Sequence, residues 1–183
     1  MDLVFPDTLA IICPRCAGQA RFRAARLGRV ARRMDLRAVR RARDVSLLPP
    51  QPDRGITDHR ALHWSGLDRE TGPPRDLDEG QGPARWQPMD AGIGVASCAA
   101  CGLRRKHRLD WPRDAWFAIE HRGQVLWALD REMAEELRSF VASADRRRSG
   151  LRYQRFLERV PSVFLGAKVR EAVVNKLTAR LDA

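Results

Sequence analysis

Long hydrophobic runs are missing from this sequence, and it contains only three lysines, Lys106, Lys168 and Lys176. No apolar run approaches the roughly 18 residues that span a bilayer, so we expect no transmembrane helix and no membrane partner. Nor does any hydrophobic segment of signal-peptide length precede Cys13. We therefore expect a cytoplasmic protein whose thiols stay reduced and available to metal.

The motifs of common catalytic sites are also missing. The sequence has no glycine-rich phosphate loop with a lysine, no Gly-x-Ser-x-Gly elbow and no His-Glu-x-x-His. Zinc deaminases pair Cys-x-x-Cys with His-x-Glu, and no histidine here is followed two residues later by glutamate. The sequence therefore predicts a protein that is not an enzyme.

All four cysteines lie in two Cys-x-x-Cys pairs, Cys13-Pro-Arg-Cys16 and Cys98-Ala-Ala-Cys101. Two complete pairs with no cysteine left over are typical of a closed tetrahedral zinc site with four thiolate ligands. Gly18 and Gly102 follow the pairs closely, where a knuckle often requires a positive φ. The alternatives are two disulfides, which need an oxidising compartment, or unrelated thiols.

The spacing of the two pairs is unusual for a zinc ribbon. Between Cys16 and Cys98 lie 81 residues, whereas compact ribbons separate their pairs by roughly 15–20 residues. One ion would thus join the start of the chain to its second half. Structural zinc contributes roughly 10–16 kcal/mol in small peptides, more than the stability of many domains. We expect chelation to unfold the ribbon.

The charge balance points to an acidic partner. The net charge is +11 and the isoelectric point is near 10.9, which favours nucleic acid first and a membrane surface second. A GC-rich coding sequence explains the preference for arginine over lysine, but not the surplus of positive charge. The candidate nucleic-acid-binding residues are Arg15, Arg21, Arg23, Arg29, Arg33, Arg37, Arg40, Arg104, Arg105, Lys106 and Arg108.

In the first half, residues 9–12 read as a short strand leading into the first knuckle, and the alternation from Ala20 to Ala24 reads as the return strand. Apolar residues at three- and four-residue spacing predict an amphipathic helix from Leu27 to about Arg43. The second knuckle is followed by a cationic strand, residues 103–108. If the knuckles pair, its charges and those of the return strand lie near one site.

Residues 49–89 read as a long irregular insertion, rich in proline and glycine. It contains His59 and His63, an i, i+4 pair that can bind metal if the segment is helical. It also contains Trp64 and Trp86. Tryptophans in polar loops tend to dock on a partner or a base, although packing onto the protein's own core is the simpler fate.

The last third predicts a β-hairpin over residues 116–129, turning at Gly123, and then helices. Asp130 can cap the first helix, a second runs roughly over residues 151–160, and a third from about Val163 to Leu181. The predicted fold class is therefore α+β: a four-cysteine zinc ribbon with a long insertion, then a β-hairpin and a small C-terminal helical bundle. We expect domains at residues 1–110 and 111–183.

The segments Cys13-Pro-Arg-Cys-Ala-Gly18 and Cys98-Ala-Ala-Cys-Gly102 resemble the knuckles of bacterial zinc-ribbon proteins. With Trp127-Ala-Leu-Asp-Arg131 and the terminal helices, the chain is similar to the reduced large subunit of type IV CRISPR effector complexes. This resemblance implies a non-catalytic subunit of an antiviral ribonucleoprotein. Such a subunit contacts the 5′ region of the guide RNA and the short motif beside the DNA target. Only the four cysteines carry over residue by residue.

Three hypotheses follow. The first is a zinc-ribbon nucleic-acid-binding subunit, alone or with other proteins in a ribonucleoprotein. The second is a protein-docking adaptor for a polymerase or helicase, whose affinity depends little on salt. The third is a zinc enzyme, which needs a ligand other than cysteine, such as His59 or His63.

Overall fold

The computed structural model describes residues 6–30, 39–49, 59–67, 92–143, 145 and 152–183, with the backbone alone of Arg29 and of residues 87–88. The fold class is α+β with mostly antiparallel sheets, as the sequence predicted. No helix in these ranges has the length and the apolar content needed to cross a bilayer.

The described strands are β1 Thr8–Ile12, β2 Gln19–Ala24, β3 Arg26–Val30, β4 Val45–Leu47, β5 His59–His63, β6 Gln87–Pro88, β7 Ile93–Ser97, β8 Arg104–Arg108, β9 Phe117–His121 and β10 Gln124–Ala128. The helices are α1 Arg131–Ala142, α2 Gln154–Leu157 and α3 Ala167–Asp182, with a 3₁₀ turn at Ser162–Phe164. The sheets have the strand orders β1-β2-β7-β8, β4-β5-β3-β6 and β10-β9.

The chain forms two compact units. The first comprises Met1–Thr8 and Ala20–Leu109, and the second comprises Leu9–Gln19 and Asp110–Ala183.

In the first unit, β7 pairs antiparallel with β2 on one side and with β8 on the other. The predicted return strand and cationic strand both form. Phe22 on β2 is buried, and its ring lies over Gly94 of β7, where a Cβ would stand 2.6 Å from the ring and 2.1 Å from the Arg23 carbonyl oxygen. Glycine at residue 94 therefore lets the two strands and the aromatic ring pack together.

The helix predicted from Leu27 is wrong at its start, because Arg26–Val30 is a strand paired with β5. Val30 is buried with Val39, Val45 and Ala61 in a small apolar core, so sheet packing overrides the helical spacing of the local sequence. Residues 39–41 are helical, and residues 31–38 lie outside the described ranges.

The reading of residues 49–89 as one irregular insertion is also wrong, because residues 59–63 form β5. This strand is central to its sheet, pairing with β3 on one side and β4 on the other. Residues 50–58, 68–86 and 89–91, which include Trp86, lie outside the described ranges.

The second unit confirms the predicted hairpin and its capped helix. Gln124 pairs with His121, so the turn is Arg122-Gly123, and both residues have a positive φ. Asp130 accepts a hydrogen bond from the Met133 backbone N–H at 2.8 Å, as an N-cap should. The buried stripe of α1 packs against the hairpin and α3.

The last two helices are shorter than predicted. Helix α2 spans four residues, and α3 begins at Ala167 because Gly166 before it is extended and caps it.

The backbone carbonyls at the C-terminal end of α3 accept hydrogen bonds from side chains of other elements. The Trp116 indole N–H donates to the Arg180 carbonyl at 3.0 Å, and Arg131 donates to the Leu181 carbonyl at 2.7 Å. These bonds satisfy backbone carbonyl groups that have no hydrogen-bond partner within the helix.

We expect Gly94→Ala to lower the free energy of unfolding by about 1–3 kcal/mol, because the added methyl must displace β2 or the Phe22 ring. Urea denaturation measures this. Ser97→Ala in the same strand is the control: it removes one exposed hydrogen bond to the Arg21 carbonyl and should change stability by no more than about 1 kcal/mol. A Gly94→Ala protein as stable as the wild type would show that β2 and β7 are not packed as described.

Candidate metal centre and cationic face

The four cysteines form one cluster. Cys13 follows β1, Cys98 follows β7 and Cys101 precedes β8, and the four sulfur atoms lie within 4.8 Å of one another. An ion with Zn–S distances near 2.3 Å at a tetrahedral centre requires sulfur atoms about 3.8 Å apart. None of the four forms a disulfide, so the cluster could hold a metal ion.

The first knuckle is a tight turn closed by its own backbone. The Cys13 N–H donates to the Gly18 carbonyl at 2.7 Å, and the Arg15 N–H donates to the Cys13 sulfur at 3.4 Å. The expectation of a positive φ at Gly18 is wrong, since Ala17 takes the left-handed conformation with a φ of 58°. The knuckle therefore aims a backbone donor at the Cys13 sulfur.

The second knuckle follows the prediction. The Cys98 N–H donates to the Leu103 carbonyl at 2.9 Å, and Gly102 has a φ of 71°. Cys13 and Cys98 are buried, Cys101 is half-buried and Cys16 is exposed. Four sulfur donors complete a tetrahedral shell and leave no position for water.

The His59 and His63 pair is not a helical metal site, because both residues lie on β5. His63 is 3% exposed, and both of its ring nitrogens have partners. Nε2 lies 3.1 Å from a carboxylate oxygen of Asp44, and Nδ1 lies 3.1 Å from the hydroxyl of Ser65. His63 is thus a satisfied buried histidine that links β5 to the segment before β4.

Burial lowers the pKa of His63 below its ordinary value of 6.5. The Asp44 carboxylate acts in the opposite direction, and Arg26 adds to the lowering. The neutral imidazole is therefore the form that the folded protein favours.

Five basic residues share one face of the sheet that carries the second knuckle. Arg21 of β2 pairs with Ser97 of β7, and Ser97 pairs in turn with Arg104 of β8. The next row across the same three strands consists of Arg23, Val95 and Lys106. Directly paired residues of antiparallel strands project to the same side, and alternation places Arg108 there as well. We call Arg21, Arg23, Arg104, Lys106 and Arg108 the cationic face. Arg105 and His107 lie on the opposite side, where the His107 ring meets Phe22 edge to face.

The first unit carries the larger share of the net positive charge. It contains nineteen arginines and lysines and twelve acidic residues, a net charge of +7, whereas the second unit contains fifteen and eleven, a net charge of +4. Of the acidic residues that the structure describes in the first unit, Asp7 pairs with Arg26 and Asp44 contacts His63.

The cationic face borders the turn after β5. The Lys106 ammonium donates to the Ser46 hydroxyl at 3.0 Å and lies 4.4 Å from the centre of the Trp64 ring. Arg104 donates to the Gly66 carbonyl at 3.0 Å. No local pattern indicates the role of Ser46, because that role depends on the pairing of β4 with β5.

The remaining candidate residues are placed as follows. Arg15 is exposed in the first knuckle, and Arg40 is exposed in the helical residues 39–41. Arg29 lies on β3, and Arg33 and Arg37 lie outside the described ranges.

The chain matches no protein-family model, no curated protein and no solved structure. Its function must be inferred from its own residues.

We expect the free energy of unfolding to decrease as the pH falls below about 6.5. In that range His63 binds a proton in the unfolded chain, whereas burial disfavours its protonation in the folded protein. Urea denaturation between about pH 7.5 and 5.5 measures this for the wild type and for His63→Gln. The glutamine variant should be less stable at neutral pH but show a smaller decrease. Metal loss at low pH affects both proteins, so equal decreases would contradict the assignment to His63.

Proposed function

We propose that the protein is a non-catalytic zinc-ribbon protein that binds nucleic acid through the cationic face. The observation that carries the proposal is the register of β2, β7 and β8, which aligns five basic residues beside the second knuckle. The surplus of nineteen basic over twelve acidic residues in that unit supports it. Phosphates are the anions best matched to arginine forks.

Zinc is the metal that this donor set fits best. Four soft thiolates in a closed tetrahedral shell are typical of structural zinc, whereas hard cations such as magnesium and calcium prefer oxygen. The ion would fix the knuckles and, with them, the ends of β7 and β8. It would have no open coordination position, which is why we propose binding rather than catalysis.

The larger assembly is proposed on the resemblance of the cysteine knuckles alone. A ribonucleoprotein such as a type IV CRISPR effector complex would bring guide RNA and the DNA beside the target to the cationic face. A binding face built from arginine and lysine, with no acidic residue among its five members, suits either nucleic acid.

We expect one zinc ion per chain in protein purified under reducing conditions, measured by elemental analysis. Cobalt(II) in its place should give the visible absorption of a tetrahedral thiolate complex. Cys98→Ser removes one of four ligands and should lose stoichiometric metal, because three sulfurs leave the shell incomplete. Ala99→Ser adds a hydroxyl to the same knuckle without removing a ligand and should retain the metal. Wild-type protein without stoichiometric metal would contradict the ribbon.

We expect the affinity for short oligonucleotides to fall steeply with salt. If about six phosphates are neutralised, log K against log salt should have a slope near −5 for duplex DNA. Arg21→Ala and Arg108→Ala should each make this slope shallower by about one unit. The matched controls are Lys168→Ala and Lys176→Ala on α3, both exposed in the second unit, and these should leave it unchanged. A flat dependence for the wild type would favour the protein-docking adaptor instead.

A further inference from the structure

We propose that the ligand of the cationic face is a single strand of nucleic acid, and that one of its bases stacks on Trp64 in the place where Lys106 now lies. This inference rests on the proposed function and specifies which nucleic acid the face takes. It adds an aromatic contact to a surface otherwise defined only by charge.

The Trp64 ring is held in a fixed orientation at the border of the face. Its indole N–H donates to the Ser46 hydroxyl at 2.9 Å, and its backbone N–H donates to the Asp44 carbonyl at 2.7 Å. Trp64 is only half-buried, unlike Trp116, which is 4% exposed in the core of the second unit. An anchored, half-buried indole is suited to stacking because little side-chain freedom is lost on binding.

Lys106 covers the ring with a contact that a base can replace. Its ammonium lies over the indole at 4.4 Å and takes the same Ser46 hydroxyl that holds Trp64. The residue is exposed, and an exposed cation–π contact contributes only about 0.5–1 kcal/mol. Stacking of a base on an aromatic side chain contributes about 1–3 kcal/mol. A base can therefore displace the lysine, whose ammonium then becomes available to a phosphate.

The row of charges on β8 suits an extended strand. Arg104, Lys106 and Arg108 alternate along one edge of the sheet and are about 6.8 Å apart, twice the rise of an antiparallel strand. Successive phosphates of an extended single strand have a comparable spacing. The bases of a duplex are already stacked on one another, so they are not available to stack on Trp64.

The two acidic residues in the described part of this unit have other partners than a phosphate group beside the Trp64 ring. Asp7 pairs with Arg26, and the Asp44 carboxylate is directed at His63. A phosphate beside Trp64 would instead meet Lys106 and Arg104, and Arg104 already reaches the same turn at Gly66.

The experiment compares a fluorescent 15-nucleotide single strand with the same sequence as a duplex, for the wild type, Trp64→Phe and Trp64→Leu. Trp64→Leu keeps an apolar side chain but removes the aromatic face. It should weaken single-strand binding by about 5- to 150-fold, the range of one base stack, and leave duplex binding within about twofold. Trp64→Phe loses the bond to Ser46 but keeps a ring, and it should retain most of the single-strand affinity.

A control separates a lost base stack from lost folding. Ser46→Ala removes the bonds to Trp64 and Lys106 without removing the ring, so it frees the indole and should weaken single-strand binding by less than Trp64→Leu does. Metal content and urea midpoint are measured for every variant. Single-strand binding should also quench tryptophan fluorescence in the wild type, and less so in Trp64→Leu.

The outcomes distinguish this inference from the function it rests on. If Trp64→Leu weakens duplex and single strand equally, Trp64 acts only through the fold and the inference is overturned. If the wild type binds both forms with a steep salt dependence and Trp64→Leu changes neither, the proposed function stands and the stacking contact does not. If the wild type binds neither, both fail.

Discussion

The pairing of β7 with β2 on one side and β8 on the other is the interaction on which the first unit depends. The turn of the second knuckle joins β7 to β8, so the register that pairs Ser97 with Arg104 also fixes Cys98 relative to Cys101. The register of β2 then aligns its arginines with those of β8. A slip of one residue would turn these arginines away and expose Phe22. Gly94 secures the register, because only a residue without a side chain fits beneath that ring.

The cysteine cluster and the cationic face are each suited to binding an ion: the cluster could hold a metal cation, and the face is suited to an anion. The four sulfur atoms lie within 4.8 Å of one another and could hold a metal ion between them. The basic residues of β2 and β8 lie side by side on one face and repel one another. The two described carboxylates of the unit are engaged by Arg26 and His63. A polyanion on the cationic face would relieve the repulsion among its basic residues.

Local patterns in the sequence predicted the elements whose pairing is local. The hairpin at Gly123 and the Asp130 cap depend on residues within a few positions of one another, and both are found where expected. The four cysteines cluster as predicted, but the first turn has its positive φ at Ala17 rather than at Gly18. The strand at Arg26–Val30 fits a helical pattern because Leu27 and Val30 are three residues apart, although in a strand this spacing places them on opposite faces. Its partner, β5, lies about 35 residues further along, in a stretch with few apolar residues. The roles of Ser46 and His63 depend on that same distant pairing, which no local signal reveals.

The net positive charge of the first unit affects how long the protein survives in a cell. Folding draws its arginines together, so their mutual repulsion opposes the compact state. A polyanion that binds only the folded form removes this penalty and adds about 2.7 kcal/mol at a hundredfold excess over its dissociation constant. Molecules without a ligand would unfold more often and be degraded sooner. The cellular amount of this protein would then follow the supply of its ligand, even with its own synthesis held constant.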